Sequence, residues 1–225
     1  MTRYLFDPAP QAALPIMGED ALFPVRRIFC IGRNYADHAA EMGNAVDRSA
    51  PFFFTKTPLS LVAPGDIPYP PGTEDLHHEA ELVLAIGHTV PRGADAVQAA
   101  GAILARAIGI DLTRRDLQGV AKDKRRPWDV GKDFEASAII APLSRAPAGP
   151  GIRLSVNGQP RQQGQLADMI FSEGELVAFL ATLYDIGPGD LVMTGTPAGV
   201  SALAPGDRIM AEIDGLPALD ARITA

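Results

Sequence analysis

Apolar positions run almost unbroken from Glu79 to Ile86, and only Glu79 and Glu81 interrupt them. Gly87 ends the run. A short apolar run with a glycine stop reads as a buried strand. Side chains two apart in a strand share a face, so Glu79 and Glu81 project together, among Val83 and Ala85. Two carboxylates on an apolar face repel each other and are costly to desolvate. A divalent cation between them removes both penalties. A pair of exposed glutamates on an edge strand is the alternative these residues leave open.

The same pattern predicts the other elements. Residues 1–24 are Pro-rich with weak periodicity and read as an extended arm packed on the surface. Val25 to Ile31 reads as a strand. Asn34 is placed to cap a short helix from Tyr35 to Met42, ended by Gly43. On that helix His38 and Glu41 are three apart and share a face. Residues 44–50 are small and polar, so the segment from about Arg33 to Ser49 reads as a lid. Pro51 to Lys56 reads as a strand with Lys56 at its end. Residues 94–107 begin as a helix and pass into a strand ending at Asp111; a turn or short helix follows from Thr113 to Gln118. Lys122 to Arg126 reads as a solvated charged loop. Asn157-Gly158 predicts a type I′ hairpin turn. Ser172 caps a helix from about Glu173 to Tyr184. Pro-Gly-Asp turns recur at 64–66, 188–190 and 205–207, and the last two precede apolar runs. The pattern is therefore α+β and β-rich, with no βα alternation and no further boundary once the arm, 1–24, gives way to the domain, 25–225.

Composition narrows the function. The 225 residues are 47% hydrophobic and 21% charged, enough for a sizeable core in one domain. A net charge of -7 speaks against a general nucleic-acid binder. The single cysteine, Cys30, sits in an apolar run and excludes an internal disulfide framework. No stretch is long enough to span a membrane. Asp7, Pro8, Pro10 and Pro15 stand where a secretion signal would need an apolar run, so the expectation is a cytoplasmic protein.

Asp111 ends an apolar strand, where an unpartnered acid is unfavourable. With Glu79 and Glu81 it makes three carboxylates. Such hard oxygen donors select Mg²⁺ or Mn²⁺ over zinc and leave about three of six octahedral positions for water and substrate. His77 and His78 are nearby, but histidine at a strand entrance is more often packed or exposed than ligating.

Five segments, in order, resemble the fumarylacetoacetate hydrolase superfamily: Gly32-Arg33-Asn34-Tyr35-Ala36-Asp37-His38, His78-Glu79-Ala80-Glu81-Leu82, Gly109 to Gln118, Gly131-Lys132-Asp133-Phe134 and Thr194-Gly195-Thr196-Pro197. The short chain is similar to the acylpyruvase and fumarylpyruvate hydrolase branch, and the lead-in from Phe23 to Cys30 to the bacterial enzymes of gentisate breakdown. The resemblance implies a mixed β-sandwich or roll, a homodimer, and Mg²⁺ or Mn²⁺ on Glu79, Glu81 and Asp111. It makes His38 and Glu41 a water-activating pair on a lid helix. It places Arg115, Gln118 and Lys132 against substrate and developing negative charge, Thr196 against the substrate carboxylate, and Lys56 near the mouth of the site. The implied substrate is a 2,4-dioxo acid, cleaved to pyruvate and a carboxylic acid such as fumarate. Two other readings remain: an oxaloacetate decarboxylase or keto–enol tautomerase on the same scaffold, and a non-catalytic dicarboxylate binder, which an intact ligand set and base disfavour.

Overall fold

The computed structural model describes residues 3–41 and 48–225. Its centre is a mixed seven-stranded sheet, ordered Phe52–Lys56, Arg27–Gly32, Asp190–Met193, Ala80–Ile86, Ile103–Asp111, Ala138–Ile140 and Leu61–Val62. The apolar run around Glu81 is the middle strand. All seven of its residues are buried, because a strand covered on both faces must be apolar on both.

The two faces have different partners. Leu82, Leu84 and Ile86 point to one face and join Phe29, Ile108, Ile110 and Val192. This face packs on a five-stranded sheet, ordered Gln159–Gln165, Gly151–Val156, Arg208–Ile213, Leu219–Thr224 and Asp66–Pro68, and on helix Glu173–Leu183. Ser172 and Glu175 form a reciprocal cap at the start of that helix. Asn157 and Gly158 have φ of 52° and 75°, as the predicted type I′ turn between strands Gly151–Val156 and Gln159–Gln165 requires. The predicted α+β, β-rich roll is the observed architecture.

The second face carries Val83 and Ala85 with Ile28, Cys30, Ala105, Ala107 and Met193. The N-terminal segment covers it. Strands Ala13–Pro15 and Leu22–Pro24 pair antiparallel and bury Leu14 and Phe23 against this face. Each such side chain contributes about 1.5–3 kcal/mol. Residues 13–24 thus form a core-burying hairpin, while residues 3–11 are exposed and without regular structure, as a surface arm would be. Glu81 and Asp111 lie on the same face by strand alternation, beyond the part the hairpin covers.

Other boundaries shift for identifiable reasons. The helix bearing His38 spans Ala36–Glu41, and the expected end at Met42 and Gly43 lies outside the described residues, as does most of the proposed lid connection. Asn34 does not act as its cap. Its buried amide donates to Phe171 O and Thr194 O and accepts from Phe171 N, tying the strand end to two distant loops. Helix Arg115–Asp123 runs longer than expected and carries Lys122 out of the charged loop. Among the described residues no helix is long and apolar enough to cross a membrane.

Candidate active site

Strand pairing assembles the carboxylates. Ala80 pairs with Ile110 and Glu81 with Gly109 in the antiparallel ladder, and Asp111 N donates to Glu79 O at 2.9 Å. The register therefore sets Asp111 beside the two glutamates, and oxygens of all three lie within 4.8 Å of one another. All three residues are buried.

Three cations balance them. Lys132 Nζ donates to Glu79 Oε2 at 2.7 Å, Asp111 Oδ2 at 2.8 Å and Thr113 Oγ1 at 2.6 Å. Arg115 Nη2 donates to Glu79 Oε1 at 2.5 Å. Lys56 Nζ lies 2.9 Å from Asp111 Oδ1. Burial raises the Glu79 pKa, but Lys132 and Arg115 overcome it and hold the carboxyl well below the usual range. The same pairing, working against burial, keeps Lys132 protonated. Among the described residues Glu81 has no ion pair of its own. Burial and the charges of Asp111 and Glu79 push its pKa well above the carboxylate range, against the charge of Lys132 and a hydrogen bond from Gly195 N at 2.8 Å.

Gly195 is required at that point. Its φ is +92°, and a Cβ there would lie 2.9 Å from Asn34 Cβ. The Thr194-Gly195-Thr196-Pro197 turn thus hands a backbone N–H to Glu81 and brings Thr196 to the site.

The donor set fits a hard divalent cation. The ligands are oxygens alone, held on rigid paired strands. Asp111 Oδ1 makes no aligned hydrogen bond despite the nearby Lys56, and such a buried oxygen is open to a cation.

A cleft opens on this cluster, lined by Glu79, Glu81, His38, Arg115, Gln118, Lys132 and Thr196. His38 Nδ1 lies 3.1 Å from Glu41 Oε2. Glu41 is held in turn by Gly199 N. This arrangement orients the ring and leaves Nε2 for the cleft. Arg115 Nη1 donates to Gln118 Oε1 at 2.7 Å, which settles the amide orientation and leaves the Gln118 NH₂ group available.

Two expected positions differ. Lys56 is not at the mouth. It is buried beneath Asp111, bonded to Lys132 O and to Ser137 Oγ at 2.9 Å, because its strand directs it inward beside Ile28. Lys132 makes three hydrogen bonds within the acid cluster, so all three of its protons are engaged there.

His77 and His78 stay outside the carboxylate cluster. His77 Nε2 meets Asp75 at 2.9 Å. Burial lowers the His78 pKa to about 4, so its ring is neutral. It donates through Nδ1 to Gln162 Oε1 at 3.0 Å, and its Nε2 accepts from Ser201 Oγ at 2.9 Å. Gln162 then donates to Thr196 Oγ1 at 2.7 Å and Pro197 O at 2.8 Å.

Residues missed in the sequence also line the cleft: Arg33, Phe54, Lys122 and Trp128. Arg33 lies inside a family-like segment. Phe54 alternates with Lys56 along one strand face, which was a usable signal. Lys122 was hidden in a charged run.

The comparisons agree with this geometry. Residues 27–224 match the family model for the C-terminal domain of fumarylacetoacetate (FAA) hydrolase. Fumarylpyruvate hydrolase of Ralstonia sp is 45% identical over 182 residues, 78% of this chain and 94% of that protein. An oxaloacetate tautomerase of Escherichia coli (strain K12) is 38% identical over 202 residues, 86% of this chain and 90% of that one. The crystal structure of fumarylpyruvate hydrolase from Pseudomonas aeruginosa in complex with Mn²⁺ and pyruvate matches with a TM-score of 0.94 and 41% identity over 99% of both chains. By fold, by acid cluster and by sequence, the chain belongs to the fumarylacetoacetate hydrolase family.

Proposed function

We propose that the protein is a divalent-metal-dependent hydrolase that cleaves a carbon–carbon bond of a 2,4-dioxo acid, an acylpyruvate such as fumarylpyruvate, to pyruvate and a carboxylic acid. One observation carries the reading: a three-carboxylate cation site and a Glu41-oriented histidine open on the same cleft. The Ralstonia and Pseudomonas relatives support it.

Glu79, Glu81 and Asp111 hold Mg²⁺ or Mn²⁺, which supplies Lewis acidity at the 2-oxo acid end of the substrate. Thr196 binds the substrate carboxylate. Its oxygen accepts from Gln162, so its own proton points elsewhere and is free to donate. His38 Nε2 takes a proton from water while Nδ1–H donates to Glu41, which stabilises the imidazolium. The water oxygen bonds to C4. The Gln118 NH₂ group donates to the resulting oxyanion. The C3–C4 bond breaks, and its electron pair stays with the pyruvate fragment as an enolate. A proton delivered to C3 completes pyruvate, and the acyl fragment leaves as a carboxylic acid. Lys132 keeps the acid cluster in place; to reach the oxyanion it would exchange one of its three bonds.

The E. coli relative favours a second reading, oxaloacetate keto–enol tautomerisation. It needs the cation site and His38 as a proton carrier but no attacking water. A panel of acylpyruvates and oxaloacetate separates the two. Loss of diketo absorbance with stoichiometric pyruvate supports hydrolysis. Tautomerisation of oxaloacetate with every acylpyruvate left intact rejects it.

A further inference from the structure

The reaction centre accounts for part of the cleft. The same cleft holds two further cations without an ion pair among the described residues. Arg33 and Lys122 both line the cleft, and among the described residues neither makes an ion pair or hydrogen bond. Each lies over an aromatic ring: Arg33 Cζ is 5.3 Å from the Phe52 centroid and Lys122 Nζ is 5.2 Å from that of Trp128. The two rings touch, with centroids 4.8 Å apart. Phe54 continues the wall, 5.8 Å from Trp128 and 5.1 Å from Lys132 Nζ. A chain of ring contacts thus connects Lys132 in the acid cluster with Arg33 and Lys122.

Chain geometry builds this arrangement deliberately. Arg33 has φ of +60°, an uncommon backbone for arginine. Lys122 lies in the last turn of helix Arg115–Asp123 and is half-buried, although the charged run that follows is solvated. Burial and the nearby Arg115 and Arg33 hold its pKa below the usual lysine range, against the smaller pull of Glu79. Cations gathered in excess of the nearby anions repel one another, and an anionic ligand between them relieves that repulsion.

We infer that Arg33 and Lys122 form a second anion subsite, which binds a carboxylate at the far end of the acyl group while the flat acyl chain lies against Trp128 and Phe54. This deepens the hydrolase reading and rests on it for the identity of the acyl group. It makes the preferred substrate a dianion with an unsaturated, carboxylate-ended acyl arm, in place of a neutral acylpyruvate.

Fumarylpyruvate and crotonylpyruvate form a matched pair, since a methyl group replaces only the distal carboxylate. In the wild type, kcat/KM should favour fumarylpyruvate. In Arg33→Gln and Lys122→Gln that preference should fall by about 10- to 100-fold, the worth of a charge-assisted hydrogen bond. Arg33→Lys and Lys122→Arg should retain most of it. A wild type without preference, or a preference unmoved in both Gln variants, overturns the inference.

Trp128 is the only tryptophan, so its fluorescence reports binding without turnover. Fumarate should bind more tightly than crotonate, and only the fumarate affinity should fall in the Gln variants. If no acylpyruvate is cleaved but this difference holds, the hydrolase reading fails and the anion subsite stands. Equal binding of fumarate and crotonate overturns the subsite.

Discussion

Gln162 Nε2 donates to Thr196 Oγ1 at 2.7 Å, and that bond decides which way the threonine can donate. The glutamine amide is itself fixed, because its Oε1 accepts from His78 Nδ1 and Ala80 N, both at 3.0 Å. Gln162 is a positioning residue on this view. Gln162→Leu should raise KM for an acylpyruvate about 5- to 10-fold with a smaller effect on kcat, as loss of about 1 kcal/mol of oriented binding predicts. Thr196→Val should do the same, and the double variant should be little worse than either. Additive effects on KM would show that the two act separately.

Chelation should abolish turnover, and Mg²⁺ or Mn²⁺ should restore it. The fold should survive, because Lys132, Arg115 and Lys56 neutralise the acid cluster from within the chain. Glu81→Gln should lower Mn²⁺ affinity in calorimetric titration. Its metal-free melting temperature should stay level or rise, since burial and two like charges disfavour the Glu81 carboxylate while glutamine can still accept from Gly195 N. Full activity in a demonstrably metal-free sample would refute the cation site.

His38→Ala should lower kcat for acylpyruvate hydrolysis by about 10²- to 10⁴-fold, the usual contribution of a general base. Mn²⁺ affinity should barely change. Glu41→Gln should slow the same step, because His38 loses its orienting charge. The double variant should resemble His38→Ala alone. Oxaloacetate decarboxylation, if measured, should suffer less because it needs no water attack. Hydrolysis at the wild-type rate without His38 would remove it from the reaction.

Asp190 tests the scaffold. Its buried carboxylate receives hydrogen bonds from Arg26 at 2.9 and 2.6 Å and Arg27 at 3.0 and 2.8 Å. Burial raises its pKa, but the two arginines bring it below the ordinary value of 3.8. Such a lowered carboxyl stabilises the fold above pH about 4 and ceases to do so as pH falls through the folded pKa. Asp190→Asn should therefore cost about 1–3 kcal/mol at pH 7, at the low end because both arginines are partly exposed. The gap between variant and wild type in chemical denaturation should close below pH 4. A gap constant down to pH 2 would contradict the pairing.

The acid cluster was legible because two glutamates in an apolar strand are an anomaly with few solutions. The Asn157-Gly158 turn and the Ser172 cap were legible because their chemistry is local. What escaped was set by contacts between distant positions. Gln162 meets His78 across 84 positions and Thr196 across 34, so nothing beside it in the chain marks its part. Lys56 was misplaced because a strand-end lysine looks like a surface residue until its strand is found next to Arg27–Gly32. Lys122 looked like one charge in a solvated run, yet its place in the last turn of a helix turns it into the cleft.

The N-terminal hairpin that covers the second sheet face has a further consequence. Leu14 and Phe23 seal the apolar layer from which Glu81 and Asp111 emerge, so they help set the dielectric in which those charges act. Residues far from any reacting atom thereby tune the strength of every charge contact at the centre. Opening that seal with Phe23→Ala would admit solvent to the apolar layer beside the carboxylates and weaken the coupling among acids and cations.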